Sequence, residues 1–158
     1  MIKYFTHYWA NTTWNDMVSI IEQHLDGKLL RAGSNLFNPI KINKGDKVYI
    51  VTVIQGQLYL GGRIIVDHIL PHITAINFQD WGYPLWEANY HIIMNKESAG
   101  YFKPDNKIPN EVTKNLKFRS SGGLKKLKYE NEGILDRQTL RNVRQLTKIS
   151  AERLDQFL

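Results

Sequence analysis

Residues 44–66 carry the strongest structural instruction in the chain. A Lys44-Gly45-Asp46 turn opens into Lys47-Val48-Tyr49-Ile50-Val51-Thr52-Val53-Ile54, a run dominated by β-branched side chains. Such side chains lose rotamer freedom in a helix and fit a pleated surface, so the run reads as a strand. Gln55-Gly56 makes a tight reversal, and residues 58–66 return as the second arm of a hairpin. Gly61-Gly62 inside that arm predicts a bulge or a close approach of another segment.

The flanking segments alternate between strand and helix signals. Residues 3–9 alternate and are rich in aromatics, as a strand should be. Asn11 is a good N-cap, with Thr13 and Asp16 as a capping-box-like alternative, and Met17, Ile20, Ile21 and Leu25 follow at helical spacing. A helical turn is expected at 34–37, stopped by Pro39. Residues 67–89 read as a loop holding Trp81, Tyr83 and Trp86, and 90–95 as another strand. Pro109 opens a short helix near its N1 position, 116–119 is a strand, and 120–133 is a hairpin region with a lysine-rich tip. Asp136 is expected to cap a helix through Leu146, and Ser150 a last one through Leu158. With no repeat and no linker, residues 1–158 read as one mixed α/β domain of the α+β kind, a β-barrel with helices packed on it.

Charge and composition narrow the function. The net charge is +6 and the pI near 9.5, a balance that favours anionic partners, nucleic acid first. The cations concentrate between Lys114 and Arg153. With no cysteine there is no disulfide, cysteine-based zinc site or thiol nucleophile. No apolar run is long enough to span a bilayer and the N-terminus does not read as a signal peptide, so the expected location is the cytoplasm, away from membranes. Enzymatic readings find no support in the residues. Pro71 between His68 and His72 argues against a helical metal pair, and Asp67, His68 and His91 could form an acid–base cluster but lack a nucleophile. No glycine loop of the phosphate-cradling type exists, Asp80 and Glu87 lack a nuclease-like lysine, and no cofactor or metal is implied.

Three groups of residues remain as candidates for binding. Trp9, Trp14, Trp81, Tyr83 and Trp86 could stack on a nucleobase, or could fill the core; Trp14, just inside a helix start, also suits a hydrophobic staple. Ser34 and Asn35 could read a base edge, since an amide offers both a donor and an acceptor, or could cap a helix. Asn11 and Thr52 could add hydrogen bonds. On the expected helix Arg137, Arg141 and Arg144 fall at i, i+4 and i+7 and make one cationic face, either solvated, paired with Glu130, Glu132 and Asp136, or set against phosphates. Lys125 and Lys126 extend that charge.

Read in order, these features resemble the EVE domain of the PUA-like superfamily, a relative of the YTH readers of methylated adenine. The resemblance rests on Tyr8-Trp9-Ala10-Asn11-Thr12-Thr13-Trp14, Ser34-Asn35-Leu36-Phe37, the Gly45-Asp46 turn and the hairpin ending Gly61-Gly62-Arg63-Ile64. It continues through Ile108-Pro109 and Leu116-Lys117-Phe118 to the C-terminal segment. It implies a PUA-like barrel of five to six mostly antiparallel strands with flanking helices. It also implies a non-enzymatic module that flips a modified, methylated base, in DNA, into an aromatic cage. By this resemblance Trp9, Asn11, Trp14, Ser34, Asn35, Thr52, Trp81 and Trp86 would bind the base, and Arg137, Arg141, Arg144, Lys125 and Lys126 the phosphates. A nuclease or restriction ATPase acting in defence would be the implied partner. The alternative within the same superfamily is an RNA-binding accessory domain in RNA modification or translation, and a third reading is a sensor of free modified nucleosides. The chain departs from the resemblance in its longer insertion around Trp81 and Trp86 and in carrying no fused nuclease.

Overall fold

The expected hairpin organises the whole molecule. A computed structural model describes residues 1–24, 27–76 and 86–158. In it β3 (Lys47–Ile54) and β4 (Gln57–Ile65) pair antiparallel along their full length. β1 (Tyr4–Tyr8) runs parallel beside β3, and β11 (Val143–Leu146) pairs antiparallel on the other side of β1. β7 (Phe118–Ser120) and β8 (Gly123–Lys125) complete a six-stranded mixed sheet of order β4-β3-β1-β11-β7-β8. A second sheet holds β2 (Arg31–Ser34), β6 (Tyr90–Ile93) and β5 (His68–Pro71), and β9 (Tyr129–Asn131) with β10 (Ile134–Leu135) makes a separate hairpin. Helices are few: α1 (Asn11–His24), the one-turn α2 (His72–Ala75) and α3 (Asn110–Thr113), α4 (Lys148–Asp155), and a 3-10 turn at Arg137–Leu140. The fold is mixed α+β, and no closed barrel forms among the described residues, where β4 and β8 are the two edges. No helix among them is long and apolar enough to cross a membrane.

Two cores flank the main sheet, which is why β3 is apolar at nearly every position. Val48 and Ile50 face one core with Phe5, Trp9, Trp14 and Met17, while Tyr49, Val51 and Val53 face the other with Phe118, Leu146 and Leu154. The expected bulge is present: Ile50 pairs with Gly62 but Val51 with Leu60, leaving Gly61 as the extra residue. That single residue switches parity along β4. Leu58 and Leu60 point into the second core, and Ile64 into the first. No side chain fits at the bulge, because a Cβ on Gly61 would lie 2.4 Å from Phe102 and 2.9 Å from Trp14.

Several local expectations are corrected. Residues 136–146 are not a helix: Asp136 accepts from the Gln138 amide and starts only a 3-10 turn, Asn142 has φ 70°, and 143–146 join the sheet as β11. α4 is capped by Thr147, whose hydroxyl accepts from Ser150 N at 3.3 Å, with Ser150 inside the first turn. Asn11 is the first residue of α1 rather than its cap. Residues 31–34 form a strand before the turn at 35–41, and 67–76 hold β5 and α2 instead of a plain loop. The β7–β8 turn lies at Ser121 and Gly122, so Lys125 ends β8, Lys126 and Lys128 follow it, and none of the three sits at the tip.

Candidate nucleic-acid interface

The front half of the expected site gathers at one end of the first core. Trp9 follows β1, its amide donates to the Val51 carbonyl at 2.9 Å, and it is 4% exposed. Trp86, half-buried, meets it edge-on at 5.5 Å between ring centres. Phe102 lies on a second side of Trp9 at 5.9 Å and against Trp14 at 4.7 Å. Trp14 is 2% exposed, so a ring seated on it would have to displace Phe102. Trp81 and Tyr83 lie outside the described residues.

The polar candidates divide between fastening and facing outward. Thr52 is fully buried and its hydroxyl donates to the Trp9 carbonyl at 2.7 Å, so it positions Trp9. The same hydroxyl lies 3.1 Å from Asn11 Oδ1, which ties the start of α1 to β3. Ser34 Oγ accepts from Leu36 N at 3.1 Å and shapes the turn after β2. Asn35 Oδ1 accepts from Asn89 N at 2.8 Å, joining that turn to the segment that carries Trp86. This bond engages only the acceptor end of the Asn35 amide, and the residue is exposed.

The basic candidates do not share one face. Lys125, Lys126 and Arg144, together with Lys128, Asp136, Gln138 and Thr139, line a groove of about 310 Å3 beside the 3-10 turn. Arg144 also stacks its guanidinium 4.4 Å from the centre of the Phe118 ring and donates to the Thr139 carbonyl, and burial lowers its pKa. Arg137 lies elsewhere, in a cleft of about 270 Å3 with Asn11, Gln55 and Glu130. The β9–β10 hairpin walls this cleft: Leu135 N donates to the Gly56 carbonyl at 2.8 Å, and a Cβ on Gly56, at φ 73°, would meet Ile134 at 2.9 Å. Arg141 is exposed and lines neither space.

Two features escaped the sequence reading. His91 is buried and its Nε2 lies 3.0 Å from His72 Nδ1. Burial first, then the charges of His72 and Arg31, hold the His91 pKa down at about 4. Asp155 on α4 accepts from the Tyr49 hydroxyl at 2.6 Å and pairs with Arg63 at 2.7 Å. Neither contact has a local signature, since each joins residues from distant parts of the chain. Among the described residues no group of three or more His, Asp or Glu could hold a metal ion. Set against known protein families, curated proteins and solved structures, the chain matches none.

Proposed function

We propose that this chain is a non-catalytic nucleic-acid-binding module that reads a modified, methylated base in DNA, rotated out of its strand and seated against Trp9. The observation that carries the reading is the aromatic pair itself: a buried Trp9 anchored by β1 and Thr52, covered by a half-buried Trp86. When Trp86 swings outward, a base can replace its edge with a full face, and face stacking is worth roughly 1–3 kcal/mol per base. A methyl group gains from the apolar wall formed with Phe102, and the amide of the exposed Asn35 can meet the base edge. The exposed lysines of the Lys125–Lys126–Lys128 groove supply phosphate contacts.

On this reading the mixed six-stranded sheet belongs to a PUA-like fold of the EVE kind, and the module acts through a partner that cuts, a nuclease or restriction ATPase. The test is a binding titration with matched methylated and unmodified oligonucleotides, as DNA and as RNA, at several salt concentrations. At least tenfold preference for methylated DNA is expected. Equal affinity for methylated and plain strands removes base reading, and a preference for RNA replaces it with the accessory-domain reading.

A further inference from the structure

An open groove of about 750 Å3 among the described residues plays no part in the base site. It lies at the start of β1, the end of β11, β7 and the start of α4, and is lined by Lys3, Tyr4, Arg119, Gln145, Leu146 and Lys148. Its three cations come from three separate segments. The acid nearest Lys148, Glu152, approaches at 3.8 Å with both side chains more than half exposed, a pair that a phosphate can replace. The Asp46 carboxylate is buried and already accepts from Lys3 N and Asn43 N.

Strand register relates this groove to the lysine groove. Phe118 pairs with both Leu146 and Lys125, and Arg144 stacks on Phe118, so Arg144 and Lys125 share one face of the sheet. Arg119 pairs with Leu124, and Gln145 lies between Arg144 and Leu146, so Arg119 and Gln145 point to the opposite face. Arg119 and Gln145 thus reach the face opposite the lysine groove, while Tyr4 and Leu146, in register with Phe118, line the same groove from the Arg144 face, so it opens across the end of the sheet; Leu124, 54% exposed, and Ile2, 49% exposed, add apolar contact surface.

We infer that the Lys3–Arg119–Lys148 groove is a second backbone-binding site, and that one nucleic-acid strand rounds the β8 edge to occupy both grooves. This rests on the nucleic-acid reading above and extends it to a two-faced footprint. A flexible polyanion with regularly repeated charge suits two cationic grooves joined across a short, exposed edge strand.

The test is fluorescence anisotropy with single-stranded oligothymidine, one strand of about 6 nucleotides, matched to a single groove, and one of about 20. The full chain is compared with Lys3→Ala/Arg119→Ala/Lys148→Ala and with Arg119→Glu alone, each checked for native near-UV dichroism. For the long strand the triple variant should lose at least about tenfold in affinity and about 2 units of salt slope. The short strand, which still has the lysine groove, should change by no more than about twofold. Arg119→Glu should weaken the long strand selectively as well. Folded variants that hold the long strand with unchanged affinity and slope overturn the second site alone. A native chain that binds neither strand overturns the nucleic-acid reading itself.

Discussion

Trp86 lies edge-on to Trp9, with ring centres 5.5 Å apart and planes inclined by 60°. The two differ in how firmly they are held. Trp9 is locked by a strand hydrogen bond and by Phe102, whereas Trp86 precedes β6 and is half-buried. One wall is held in the strand ladder and buried; the other is half-buried.

That difference predicts how the two tryptophans separate under mutation. Trp9→Ala should destabilise the fold by about 3–5 kcal/mol, as for a buried tryptophan. Trp86→Ala should cost well under half of that and abolish any preference for a methylated base. Denaturant unfolding and oligonucleotide titration measure both, and a Trp86→Ala variant with full discrimination removes Trp86 from the recess.

Gly61→Ala tests the bulge. The added methyl would meet Phe102 at 2.4 Å and Trp14 at 2.9 Å, and neither ring has room to retreat within the core. A loss of about 1–3 kcal/mol or more is expected. Gly45→Ala is the matched control, since it carries the strain of a positive φ of 93° but meets nothing within 4 Å.

Acid should weaken the fold through His7. Burial holds its pKa at about 4, below the ordinary 6.5, so the unfolded chain takes up a proton before the folded one does. Its contribution is complete above pH 6.5 and is lost as pH falls towards 4, by roughly 2 kcal/mol at pH 5. His91 shifts in the same direction, also to about 4. Urea unfolding between pH 7.5 and 5 should show the decline, and His7→Leu should flatten part of it.

Asp155 should act as a hub between α4 and the hairpin. Its carboxylate takes both the Tyr49 hydroxyl and Arg63, and losing the bond to one charged acceptor costs roughly 1.5–3 kcal/mol. Asp155→Asn should lower stability by about that much. In a double-mutant cycle Tyr49→Phe should lose most of its own effect once Asp155 is changed. Additive effects would show that the two groups act independently.

The β3–β4 hairpin and its bulge were legible because their signals are local: β-branched runs, a reversal at Gln55-Gly56 and paired glycines. The 136–146 segment was misread because arginines spaced i, i+4 and i+7 mimic a helix face. The sheet recruits Val143 to Leu146 between β1 and β7, and that tertiary demand overrides the local spacing. The candidate site was legible in part. Trp9, Asn11 and Thr52 do come together, but Trp14 is sealed by Phe102, which arrives from 88 positions along the chain. The basic residues split between grooves because Arg137 sits on the 3-10 turn and Arg144 on β11, so no common helix relates them.

The parallel pairing of β1 with β3 and its antiparallel pairing with β11 have a kinetic consequence. Tyr4 bonds into register with both Lys47 and Leu146, so the central strand of the main sheet is completed by a partner from the far end of the chain. During synthesis one edge of β1 therefore stays open until residues 143–146 have emerged, with Phe5 and His7 already committed to the first core. Contacts between such distant segments slow folding as a whole, and a chain cut before β11 presents an unpaired strand edge to its neighbours.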